Sequence, residues 1–180
     1  MTILTDAFAD LFGSLQSMSF IAVLARLILA LVLGAMIGWE REVKSRAAGL
    51  RTHMLIALAA AMFTIVAMEL THFPTDRPDT LRIDPLRLIE AVTAGVAFLA
   101  AGSIITSGGN VRGVTTGASM WLSGAIGLAC GTGSGVLAAM GTALALIILW
   151  IIRMTIKPLA HRDSQPDRQD PAHQGNEARD

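Results

Sequence analysis

The chain has 180 residues, of which 53% are hydrophobic and only 16% charged, with a formal net charge of zero. Soluble domains carry about a quarter charged residues, so this composition excludes an ordinary soluble globule, and the neutral balance leaves no basic footprint for nucleic acid. A membrane span needs about 20 mostly apolar residues, and several such runs are present, so the expectation is an integral protein of the lipid bilayer.

Residues 1–19 contain Asp6 and Asp10 but no Lys or Arg. A secretory signal opens with a basic region, so this stretch reads as an external lead-in. Spans are expected at about 20–38, 52–70, 86–105, 114–131 and 135–152, with ends uncertain by a few residues. The fold class is therefore all-α, with five transmembrane helices making up a domain over residues 20–155. Residues 156–180 are polar, contain no apolar run and read as a disordered tail.

The first span carries Arg26 about six residues in, in its outer part, and Gly34 and Gly38 as a GxxxG pair, which lets helix backbones approach closely in lipid. It gives way to Glu40, Arg41 and Glu42, and the chain returns through Gly49, Leu50, Arg51, Thr52 and His53. A simple anchor needs no such density of charge. The second span ends near Glu69, and a proline-rich stretch with Arg77 and Arg82 reads as an external loop. The third span opens with Arg87 and Glu90, three residues apart and so on neighbouring faces of a helix. Arg26, Glu69, Arg87 and Glu90 fall in one outer layer, where they snorkel to the interface, pair as Arg26–Glu90 or Arg26–Glu69, or serve a proton or cation relay, for which the apolar middles of the spans offer no path.

The turn after the third span holds Asn110, Arg112, Gly113, Thr115 and Thr116. Thr52 and Thr115 are placed to cap the helices that follow them. In the fourth span Ser119, Ser123, Gly127, Gly131 and Gly135 recur every four residues, a small-residue face suited to packing within the chain or against a second subunit as a homodimer. The single thiol, Cys130, lies among these residues and offers no disulfide or zinc spacing. Ten Lys or Arg residues fall in the first and third connections and the tail, against two in the second connection. By the positive-inside rule the N-terminus is outside and the C-terminus cytoplasmic, with Trp39 and Trp150 at the cytoplasmic interface.

The chain also repeats itself. Arg26–Gly34 reads RLILALVLG and Arg87–Gly95 reads RLIEAVTAG, identical at five of nine positions. If the first two spans and the next two are duplicated hairpins, the Glu40–Arg51 turn faces the Asn110–Thr116 turn. No HExxH, GxSxG or P-loop is present, and the four histidines have no ligand spacing. No enzyme, cofactor or metal site is expected.

Glu40-Arg41-Glu42, Ala48-Gly49-Leu50-Arg51-Thr52-His53, Phe98-Leu99 with Gly102, and Arg112-Gly113-Val114-Thr115-Thr116, in that order, resemble the motifs of the MgtC/SapB family of bacterial membrane proteins. The resemblance covers about residues 20–155. It implies an inner-membrane protein that supports growth in low magnesium and, in pathogens, survival inside host cells. It implies a modulator of a partner membrane protein, such as an ATP synthase or an ion transporter, rather than a transporter itself. The competing expectation is a small channel or transporter for Mg2+, another cation or a small solute. Two departures stand out: the third span reads FLAAG where members show more glycine, and the polar tail replaces a soluble C-terminal domain, so the chain reads as a membrane-only version.

Overall fold

The computed structural model describes residues 18–71, 84–107 and 110–156. Among them five helices and one short hairpin follow in order: α1 (Phe20–Glu42), α2 (Leu50–Leu70), α3 (Pro85–Gly102), β1 (Ile105–Ser107), β2 (Asn110–Arg112), α4 (Val114–Gly131) and α5 (Gly135–Ile156). The chain divides into a unit running to Leu146 and a second beginning at Ile147, of which only the end of α5 is described. The expected lead-in (residues 1–17), the loop 72–83 and the tail from residue 157 lie outside the described residues.

α1 and α2 are long and apolar enough to cross a membrane, and Gly135–Ile151 of α5 is a shorter apolar stretch. Ser19 caps α1, accepting from the Ala22 amide at 3.3 Å. The inward stripe of α1, Ala30, Leu33, Gly34, Ile37, Gly38 and Arg41, keeps helical spacing to its last member. That spacing is why the helix runs through Glu40–Arg41–Glu42, where the sequence reading ended it near residue 38. α1 closes with a Schellman arrangement: the Arg46 amide donates to Arg41 O and the Ser45 amide to Glu42 O, with Ser45 at φ +49°.

α4 is the central helix. It packs on α1, α2 and α3, while α2 also packs on α1 and α3. Contacts along each pair fix the directions. A Cβ at Gly34 would lie 2.8 Å from His53 O and one at Gly38 2.7 Å from Leu50 Cα, so α1 and α2 run antiparallel with their backbones nearly touching. Gly127 faces Ala57 and Ala60, and Gly131 faces Ala61 and Thr64, so α2 and α4 run parallel. Gly117 lies against Ala100 and Gly124 against Val96, so α3 and α4 are antiparallel. Small residues make these approaches, as close van der Waals packing in lipid requires. Ser119, Ser123, Gly127 and Gly131 are all buried within the chain, which is where the recurring small-residue face of α4 is spent. Cys130 is fully buried among them.

The all-α expectation is corrected at one place. Residues 105–107 pair antiparallel with 110–112, with Ile105 opposite Arg112 and Thr106 opposite Val111. α3 accordingly stops at Gly102 instead of running to residue 105. The signal was in the sequence: ITS and NVR, rich in β-branched residues, flank Gly108-Gly109, a two-residue hairpin pattern.

Candidate functional site

The antiparallel and parallel pairings bring the last turn of α1 and the first turns of α2 and α4 to one end of the bundle. Arg41, the last inward residue of α1, is only 4% exposed. Its Nη2 donates to Thr116 Oγ1 at 3.2 Å, tying α1 to the first turn of α4. Its Nη1 lies 4.0 Å from Glu40 Oε2. Glu40 is also ion-paired with Lys44, one turn on. Arg41 Nε and Glu40 Oε2 are both buried without a hydrogen-bond partner among the described residues, an unmet donor beside an unmet acceptor. A buried polar atom left so costs about 1–3 kcal/mol.

His53 completes the layer from α2. It is fully buried, with Nδ1 2.7 Å from Gly49 O and Nε2 3.0 Å from Ser119 Oγ. A carbonyl can only accept, so Nδ1 carries the proton, and in the neutral ring the single Ser119 hydroxyl proton serves either Nε2 or Thr116 O, not both at once. Ser119 Oγ also reaches Thr116 O at 2.8 Å. Arg41, Thr116, Ser119 and His53 thus form one buried polar chain across α1, α4 and α2. Sequence reasoning places His53 in this layer without a partner and gives Ser119 a packing role alone. His53, Ala57, Ala60 and Thr64 share a helical stripe, and that stripe was the signal for His53's inward position.

Around this chain the remaining candidates divide. Glu42 Oε2 accepts from the Leu50 amide at 2.9 Å, placing a carboxylate on the N-terminus of α2 where the helix dipole favours it. A Cβ at Gly49 would displace that carboxylate, so the glycine lets Glu42 reach the helix end. The caps are Gly49 and Gly113, neither with a side-chain cap bond, and Thr52 and Thr115 lie inside their helices. The threonine caps are therefore corrected: Glu42 reaches back over α2, and Gly113, at φ +92°, turns the chain from β2 into α4 against Ser103 O. Arg51, Arg112 and Thr115 are exposed and Thr52 is half-buried, while Asn110 begins β2. The structure brings Arg41 and Thr116 together and leaves the exposed arginines outside the buried chain.

At the opposite end Arg26 Nη1 donates to Gly131 O at 2.8 Å and lies 4.0 Å from Met68 Sδ. A guanidinium on a terminal carbonyl of α4 is favoured by the helix dipole. Arg87 and Glu90 are exposed on α3, and Glu69 is half-buried near the end of α2. Between the two ends, the hydroxyls of Thr64, Thr93, Ser123 and Thr142 each donate to a carbonyl of the preceding turn of their own helix. Among the described residues no three His, Cys, Asp or Glu side chains gather as a metal site would require.

A family model described as the MgtC family matches residues 27–157. The chain is 38% identical over 124 residues to YhiD of Escherichia coli (strain K12), named as a candidate magnesium transporter, covering 69% of this chain and 57% of that protein. It is 37% identical over 139 residues to protein MgtC of Salmonella typhimurium, covering 77% and 54%. With an uncharacterised protein of Haemophilus influenzae it shares 33% identity over 147 residues, 81% of this chain and 61% of that one. The chain spans little more than half the length of these relatives. No solved structure matches it.

Proposed function

The chain belongs to the MgtC family, and from that premise we propose a multi-pass inner-membrane protein that supports adaptation to low magnesium by modulating a partner membrane protein. The five helices are read as five spans, the first four being two duplicated hairpins, with the N-terminus outside. The buried chain Arg41–Thr116–Ser119–His53, with an unmet donor and acceptor at Arg41 and Glu40, carries this reading. A charge held in the bundle costs free energy, about 2.5–3.5 kcal/mol at a bilayer centre on insertion scales. Arg41 is held at the charged end of three helices, where, buried itself, it fixes their relative positions and so sets the polar face that a partner meets.

The magnesium link rests on family membership and on the naming of YhiD as a candidate magnesium transporter. A transport path is disfavoured by the hydroxyls inside the bundle, which bond back to their own helices instead of lining a continuous polar route. The test pairs flux with growth. Proteoliposomes of the purified chain are expected to show no saturable Mg2+ or proton flux. Cells lacking the protein are expected to fail in low magnesium, recovering with the wild-type chain and not with Arg41→Gln. Saturable flux that Arg41→Gln removes would replace the modulator with a channel or transporter.

A further inference from the structure

An apolar cleft of about 390 Å³ opens between α2 and α3, away from the polar layer. Leu55, Ala59 and Phe63 line one wall and Ala91, Gly95 and Leu99 the other, each set spaced by four residues. The small residues Ala59 and Gly95 lie midway along their walls, and a Cβ built on Gly95 meets nothing within 4 Å. The room at this point is therefore real space and not a tight crossing. One turn before Leu55 on the same stripe of α2 stands Arg51, exposed and without an ion-pair partner among the described residues.

From this arrangement we infer that the cleft is a binding site for an anionic diacyl phospholipid, one acyl chain lying between α2 and α3 and the headgroup phosphate on Arg51. The lengths agree. Arg51 to Phe63 is twelve residues, about 18 Å along a helix at 1.5 Å per residue, and one leaflet of hydrocarbon is about 15 Å deep. An extended hydrocarbon chain is one methylene wide and suits a groove that follows two helices over the roughly 12 Å between Leu55 and Phe63. The charge decides the headgroup: the lining is apolar throughout, so the arginine at the mouth is the group that discriminates anionic from zwitterionic lipid. The site rests on the bilayer placement proposed above, which carbonate-resistant membrane fractionation tests separately.

Native mass spectrometry of the full chain in detergent, titrated with dioleoyl phosphatidylglycerol or dioleoyl phosphatidylcholine, reads the site directly. The wild type is expected to prefer phosphatidylglycerol about fivefold, one arginine's attraction to an anionic headgroup. Arg51→Gln should erase the preference while both lipids still bind. Gly95→Leu fills the cleft and should remove the bound lipid of either kind. Gly141→Leu adds the same side chain at another open glycine, on α5, and should change nothing. Melting curves of all three variants control for folding. Equal binding of the two lipids by the wild type, or lipid binding that survives Gly95→Leu in the folded variant, overturns the assignment. So does a dimer that Gly95→Leu dissociates, since it would give the cleft to a second copy.

Discussion

The hairpins α1–α2 and α3–α4 begin from matching sequence and end in different packing. Gly34 and Gly95 hold the same place in the repeated nonapeptides. Gly34 presses on the backbone of α2, so that a Cβ would lie 2.8 Å from His53 O, whereas Gly95 faces open space. Arg26 and Arg87 are likewise equivalent in sequence. Arg26 binds the last carbonyl of α4, and Arg87 is exposed. The difference shows how one motif serves two ends: in α1–α2 its small residue joins helices, and in α3–α4 it leaves room. The tightest helix-to-helix contacts and the buried polar chain both belong to α1, α2 and α4, and α3 packs less tightly on α4.

That contrast can be broken most forcefully at the tight contacts. Gly127→Leu would drive a side chain into Ala57 and Ala60 and is expected to cost about 3 kcal/mol or more, lowering the detergent melting temperature sharply. Gly95→Leu should leave that temperature nearly unchanged, and an equal loss at both glycines would erase the distinction. Next in size is Thr116→Val, which removes the acceptor from the buried Arg41 guanidinium and should cost about 1.5–3 kcal/mol in denaturant unfolding. Glu42→Ala withdraws the carboxylate from the N-terminus of α2. A loss of about 1 kcal/mol is expected, reduced at high salt. The smallest effect is a gain: Ser45→Gly relieves a left-handed serine at the end of α1 and should add about 1 kcal/mol.

The helices were legible because apolar length acts locally, although the threonine caps read from the sequence lie inside their helices. Four of the five begin within a residue of where the sequence placed them, and α2 begins at Leu50, two residues early. What sequence reading missed depended on facing, which a run of residues does not state by itself. Arg41 looked like part of a charged turn until the stripe from Ala30 was followed through Gly34, Ile37 and Gly38 to its end. His53 looked solitary because its partner, Ser119, lies on another helix. The hairpin of β1 and β2 was hidden by the apolar character of Ile104 and Ile105, which let α3 seem to continue. The motifs that carry the family resemblance gathered the right ends of the helices, and the polar chain between them needed three dimensions.

The central claim is that the Arg41–Thr116 hydroxyl bond holds the polar layer in its working form. The most direct test is growth at limiting magnesium of cells whose only copy carries Thr116→Ser or Thr116→Val, at matched membrane abundance. The hydroxyl-retaining Thr116→Ser is expected to support growth as the wild type does, and Thr116→Val, of nearly the same shape, is not. Wild-type growth with Thr116→Val would contradict the account.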